Sequence, residues 1–146
     1  MIEIRDMEQS DLKRVMEIES NSFVAPWNKE EMLYELNENK FSHLAVITND
    51  NYIVGFYDYW ETFDSATIAQ IAVDPLYRRQ HLGETLLNEI IKECHAKKIR
   101  NITLEVRKNN EKAVNLYQKY GFKTVLTKEK YYSNGDDAYY MIKELN

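Results

Sequence analysis

Cysteine is almost missing from this 146-residue chain. The single Cys94 excludes an internal disulfide framework and a four-thiolate zinc site, and its place on the apolar stripe of a helix marks it as a packed thiol. Histidine is scarce too: His43 and His95 have no ligand-like spacing to another histidine, cysteine or carboxylate cluster, so no metal site is expected. Two prolines and four glycines leave no linker or low-complexity segment, and no internal repeat is visible. The Met1-Ile2-Glu3-Ile4-Arg5-Asp6 start lacks the apolar core of a signal peptide, and no apolar run approaches the roughly 18 residues of a membrane span. These absences point to a cytoplasmic protein that binds no membrane.

What is present fits one folded domain over residues 1–146: 44% hydrophobic, 29% charged and 12% aromatic residues are too rich in core formers for a disordered chain. The net charge of -5 is unevenly spread. Met1 to Tyr77 holds 5 basic and 15 acidic residues, Arg78 to Lys130 holds 13 and 6. Such asymmetry suggests a cationic partner for the earlier half and an anionic one for the later half, with solvated helix faces as the alternative. Tyr57, Tyr59 and Trp60 lie in an alternating strand with acidic surroundings, which favours core and peptide-groove roles over nucleic acid.

Ile2 to Asp6 alternates like a strand, and Ser10 can cap a helix carrying Leu12, Val15 and Met16 on one face. Asn28-Lys29-Glu30-Glu31 predicts a capping box opening a second helix with Met32, Leu33 and Leu36 buried. His43–Thr48 and Tyr52–Trp60 form a hairpin around Asn49-Asp50-Asn51. Ala66–Val73 is a strand, followed by a long helix with Leu82, Leu86, Leu87, Ile90, Ile91 and Cys94 on its stripe. Ile102, Leu104 and Val106 mark the next strand, and a helix from Asn110 to Tyr120 stops at Gly121. Phe122–Tyr132 and Ala138–Glu144 close the chain as a hairpin through Ser133-Asn134-Gly135-Asp136. This order implies a mixed α/β sheet of about seven strands with helices on both faces, in which the Ala66 and Ile102 strands are parallel neighbours.

The most telling segment joins the Ile71-Ala72-Val73 strand end to a helix start through Arg78-Arg79-Gln80-His81-Leu82-Gly83-Glu84. The unpaired N–H groups of a helix's first turn lie at the positive end of its dipole, Gly83 permits close approach, and two arginines add charge, so the turn suits a phosphate.

Arg78 to Gly83 resembles the acetyl-CoA motif Gln/Arg-x-x-Gly-x-Gly/Ala of the GNAT superfamily of N-acetyltransferases. His81 replaces the first glycine, so either the backbone there needs no positive φ or the histidine adopts one. Ala25-Pro26-Trp27-Asn28, Leu104-Glu105-Val106-Arg107, Asn110 with Ala113 and Leu116-Tyr117-Gln118-Lys119-Tyr120-Gly121-Phe122, and Tyr131-Tyr132 before Asp137-Ala138 carry the resemblance along nearly the whole chain. Within the superfamily the chain is most similar to bacterial enzymes that acetylate the N-terminal alanine of a ribosomal protein.

The resemblance implies a GNAT-like fold, acetyl-CoA as co-substrate, Glu105 as general base and Tyr117 as the acid that protonates the CoA thiolate. Packing in the cluster Leu116, Tyr117, Tyr120, Phe122 is the alternative role for Tyr117. It further implies that Ile71, Ala72 and Val73 pair by their main chain with the pantetheine arm, that Arg78 through Glu84 hold the diphosphate, and that Asn110 binds the cofactor or merely caps its helix. Pro26, Trp27 and Tyr131 would line the peptide end, or serve as a helix staple and a sheet-packing ring. The expected acceptor is the N-terminal amine of a protein with a basic leader. Lysine or small-amine acetylation, and a non-catalytic acyl-CoA-binding regulator, are the competing functions.

Overall fold

In the computed structural model, which describes residues 1–145, alternation and capping translate into seven strands and four helices. They are β1 (Ile2–Asp6), α1 (Leu12–Ser22), α2 (Lys29–Asn37), β2 (Ser42–Asn49), β3 (Tyr52–Thr62), β4 (Ser65–Val73), α3 (Leu82–Ala96), β5 (Asn101–Arg107), α4 (Glu111–Lys119), β6 (Lys123–Lys128) and β7 (Ala138–Glu144). Short 3-10 turns cover Gln9–Asp11 and Pro75–Tyr77. The sheet is mixed, with hydrogen-bonded order β1-β2-β3-β4-β5-β7-β6. Residues 1–61 and 69–90 form one compact unit, and residues 62–68 and 91–145 the other.

In the first unit, Asp50 and Asn51 turn the β2–β3 hairpin at φ 51° and 71°, the left-handed conformation that asparagine and aspartate tolerate best. Alternation sends Leu44, Val46 and Phe56 to one face, and the register shift beside Ile47 brings Ile53 to the same face, where they meet Leu12, Val15 and Ile18 of α1 and Met32 of α2. On the opposite face Gly55 stands across from Ile47. A Cβ on Gly55 would come 2.6 Å from the Ala72 carbonyl oxygen, 3.0 Å from Ile47 Cγ2 and 3.4 Å from Leu86 Cδ1 of α3. Helices thus cover both faces within this unit, as the pattern predicts.

The start of the first helix differs from expectation. Ser10 lies inside the 3-10 turn, and Asp11, at the N-cap position of α1, makes no side-chain bond to that helix. It reaches back to box the 3-10 turn instead: its Oδ2 accepts from the Glu8 N–H at 2.8 Å while Arg5 grips both oxygens at 2.7 and 3.0 Å. A carboxylate serves an N–H and a guanidinium together, with charge-assisted bonds that a hydroxyl cannot equal. The Asn28–Glu31 capping box forms as expected, with reciprocal bonds of 2.8 and 3.0 Å.

In the second unit, the N-terminal end of β4 runs parallel to β5, with Ala66 opposite Ile102 and the ladder extending from Ser65↔Asn101 to Ile68↔Leu104. The β7 strand pairs antiparallel along the whole of β5, and β6 pairs with β7. Gly121, at φ 92°, ends α4 in the left-handed cap conformation. The last hairpin is shorter in strand and longer in loop than expected, because β6 stops at Lys128 and residues 129–137 connect it to β7. Two rings pull this stretch out of the ladder: Tyr131 reaches Glu105 with its hydroxyl, and Tyr132 lies 3.8 Å beneath the Arg107 guanidinium.

Candidate functional site

The first unit supplies a turn suited to an anion. The β4 strand alternates, burying Gln70 and Ala72 while Ile71 and Val73 stay half-buried. At its end, Asp74 accepts from the Leu76 N–H at 2.9 Å and pairs with the Arg14 guanidinium. Burial opposes its ionisation, but these two partners outweigh it and hold the Asp74 carboxyl below the usual range. This cap fixes where the chain leaves the sheet. Arg78 Nε then bonds the Val73 carbonyl at 3.3 Å, and two residues in the left-handed region, Arg79 at φ 68° and His81 at φ 60°, bend the chain into α3.

His81 therefore does what the missing glycine would do. A side chain in that conformation costs about 1–2 kcal/mol. The His81 carbonyl accepts from Thr85 N and Thr85 Oγ1, both at 3.0 Å, closing the first helical turn, and its exposed ring bonds Glu84 at 2.6 Å. Leu82, Gly83 and Glu84 follow within the first turn of a 15-residue helix, where N–H groups have no intrahelical acceptor. With Arg78, Arg79 and Gln80 in the same turn, the chemistry fits a diphosphate. Cys94 is fully buried farther along α3, as its stripe position predicts.

Glu105 occupies the second unit. It stands opposite Tyr140 in β7, on the strand face away from buried Leu104 and Val106. Its carboxylate is gripped from two sides: Lys128 Nζ pairs with Oε2, and Tyr131 Oη donates to Oε1 at 2.8 Å. The same carboxylate raises both the Lys128 ammonium and the Tyr131 phenol above their ordinary values. The ammonium also lies 5.0 Å from the Tyr131 ring centre and 5.2 Å from that of Tyr140.

No local motif singles out Lys128. The signal that finds it is strand register: Glu105 pairs with Tyr140, Tyr140 with Leu126, and Lys128 follows two residues later on the same face.

Tyr117 lies buried in α4, edge-on to Phe122 with ring centres 5.7 Å apart. Burial pushes its phenol far above the ordinary value, so it stays a neutral hydrogen-bond donor at physiological pH. Asn110 caps α4, accepting from Ala113 N at 3.3 Å. In the first unit Pro26 is exposed, whereas Trp27 packs on the core cluster containing Met32, consistent with the staple alternative. The Trp27 N–H donates to Glu19 Oε2 at 2.8 Å, and Gln70 Nε2 donates to the same oxygen at 2.8 Å. Glu19 is fully buried, and its desolvation raises its carboxyl despite these donors. Among the described residues, no group of histidine, cysteine or carboxylate side chains could hold a metal ion, and no helix is long and apolar enough to cross a membrane.

Residues 12–122 match the family described as Acetyltransferase (GNAT) family. A candidate ribosomal protein bS18-alanine N-acetyltransferase of Bacillus subtilis is 40% identical over 98% of this chain and 95% of its own length. The ribosomal protein bS18-alanine N-acetyltransferase of Escherichia coli strain K12 is 32% identical over 91% of this chain and 88% of its own. The crystal structure of an Escherichia coli ribosomal-protein-alanine N-acetyltransferase superposes with a TM-score of 0.92 at 30% identity, covering 100% of this chain and 95% of that one.

Proposed function

The chain belongs to the acetyltransferase (GNAT) family and is an acetyl-CoA-dependent N-acetyltransferase; from that premise we propose that it acetylates the N-terminal α-amino group of a protein. The observation that carries this reading is end-to-end similarity to relatives of one named activity, ribosomal protein bS18-alanine N-acetylation. The N-terminal alanine of that ribosomal protein is accordingly the proposed acceptor. Residues 1–146 act as one catalytic domain, and such an acceptor places the work in the cytoplasm.

In this mechanism the turn from Arg78 to Glu84 holds the diphosphate of acetyl-CoA, the main chain of Ile71, Ala72 and Val73 pairs with the pantetheine arm, and Asn110 adds a cofactor contact beyond its cap. The acceptor amine must first lose a proton, which Glu105 takes directly or through water. The amine nitrogen then bonds to the thioester carbonyl carbon, the carbon–sulfur bond breaks, and Tyr117 protonates the departing thiolate. An α-amino group has a pKa of about 8, so neutralising it near pH 7 costs about 1.4 kcal/mol; a lysine side chain, at about 10.4, costs more than three times that. A carboxylate base therefore favours the α-amine. Tyr131, bonded to Glu105, and Pro26 and Trp27 are the proposed peptide-side contacts. No metal is required.

Thiol release with an alanine-led peptide, a lysine peptide and spermidine tests the acceptor class, and only the first should turn over efficiently. Replacing Glu105 by Gln should lower kcat by about 100-fold with little change in acetyl-CoA affinity and should displace the pH profile. Wild-type turnover of Glu105→Gln across the pH range would remove Glu105 as the base.

A further inference from the structure

Both tryptophans of the chain line the same cleft. Trp27 and Trp60, with Tyr34, wall a cavity of about 410 Å³ in the first unit, and Glu30, Glu31 and Glu35 complete its charged lining. No basic side chain lines it among the described residues. The cleft is therefore aromatic and anionic at once, within the acidic half of the chain.

Neutral groups hold its innermost carboxylate. Trp60 Nε1 donates to Glu35 Oε1 at 2.6 Å, and Asn39 Nδ2 donates to Oε2 at 3.0 Å. These bonds orient the carboxylate without cancelling its charge. Behind it, fully buried Asp58 accepts from Ser42 Oγ at 2.6 Å and hydrogen-bonds Glu35. Burial and the Glu35 partner push the Asp58 carboxyl up to about 9, so the pair carries one negative charge, kept on Glu35 at neutral pH. Because its N–H is committed to Glu35, the Trp60 indole offers a ligand its π face.

Aromatic faces beside unneutralised carboxylates select a cation with an apolar stem. Arginine fits this description best: its methylenes lie along rings, its planar guanidinium stacks, and its weak hydration lowers the cost of entry. We propose that this cleft is a specificity subsite taking a basic side chain, arginine above all, of the polypeptide acceptor. The assignment rests on the reading that the acceptor is a protein N-terminus, and it adds what that acceptor must carry besides a free amine.

The tryptophans make the cleft directly observable. The full chain is titrated, without acetyl-CoA, with an alanine-led peptide bearing arginines and with its citrulline counterpart, which keeps the shape and loses the charge. Intrinsic fluorescence should change saturably with the arginine peptide, and the citrulline peptide should bind roughly tenfold more weakly, a gap that closes as salt is added. In acetylation assays the same ratio should appear in KM. Glu30→Gln and Tyr34→Ala, both at exposed positions, should each narrow it towards one. Equal affinity for the two peptides, or a ratio untouched by both variants, overturns the subsite. Failure of the acceptor reading shows separately, as an alanine-led peptide that binds and is never acetylated.

Discussion

The carboxyl groups tied to the tryptophans of the first unit and those around β5 in the second are supported in opposite ways. Glu19, Glu35 and Asp58 are withdrawn from water and meet neutral donors: a backbone N–H, carboxamides, an indole and a hydroxyl. Glu105 and Asp136 sit nearer the surface and meet cations, Lys128 and Arg107, the latter pair at 2.8 Å. Neutral donors in a buried site leave the proton competitive, and burial moves Glu19 and Asp58 upward. The Asn134 amide and the Arg107 guanidinium do the reverse for Asp136, holding its carboxyl below the usual range. The first arrangement suits buried support; the second fixes the orientation of carboxylates near the surface, which is what the base proposed at Glu105 requires.

Deleting a buried support should break this contrast most severely. Glu19→Ala leaves the Trp27 N–H and the Gln70 amide without their acceptor and opens a cavity beneath α1, so unfolding by urea should show a loss of about 3 kcal/mol. Glu19→Gln, which keeps a carbonyl for these donors, should lose less than half as much. A smaller effect, seen as Tm against pH, comes from Asp58. Its folded pKa of about 9 lies far above the unfolded carboxylate value of about 3.9. The folded state therefore binds the extra proton between those limits, and this contribution to stability, complete below pH 4, is lost as pH rises through 9. Glu35, held below its ordinary value, has the opposite sign and matters only in acid. Tm should fall by several degrees from pH 6 to 9.5, and Asp58→Asn should flatten that decline.

Local features of the sequence carried most of the fold. Alternation marked β1 through β5, Asn28 and Glu31 marked the start of α2, and Gly121 marked the end of α4, because each signal is complete within a few residues. The turn from Arg78 to Gly83 was legible for the same reason, though only the backbone shows that His81 takes the left-handed conformation itself. What sequence left hidden depends on contacts distant along the chain. Asp11 turns back to Glu8 and Arg5 rather than leaving Ser10 to cap α1, and Arg5 reaches it from a different element. Glu35 and Asp58, 23 residues apart, become one titrating pair only when α2 lies on β3, and neither has a motif. Lys128 reaches Glu105 across two strand registers, beyond any spacing rule.

That last contact offers the finest sharpening of the comparison, since a cationic support at the surface should matter to chemistry and hardly to stability. The Lys128 and Glu105 side chains are 34% and 29% exposed, where solvent screening leaves an ion pair little weight in stability. Lys128→Met keeps the stem that lies near the Tyr131 and Tyr140 rings and removes only the charge. The urea midpoint should then hardly move, whereas kcat should fall a few-fold, because the carboxylate keeps the Tyr131 bond and loses its second anchor. The loss should stay well short of that of Glu105→Gln, and Lys128→Arg should restore most of it. A stability loss as large as that of Glu19→Ala, with turnover untouched, would mean that the two regions support their acids alike.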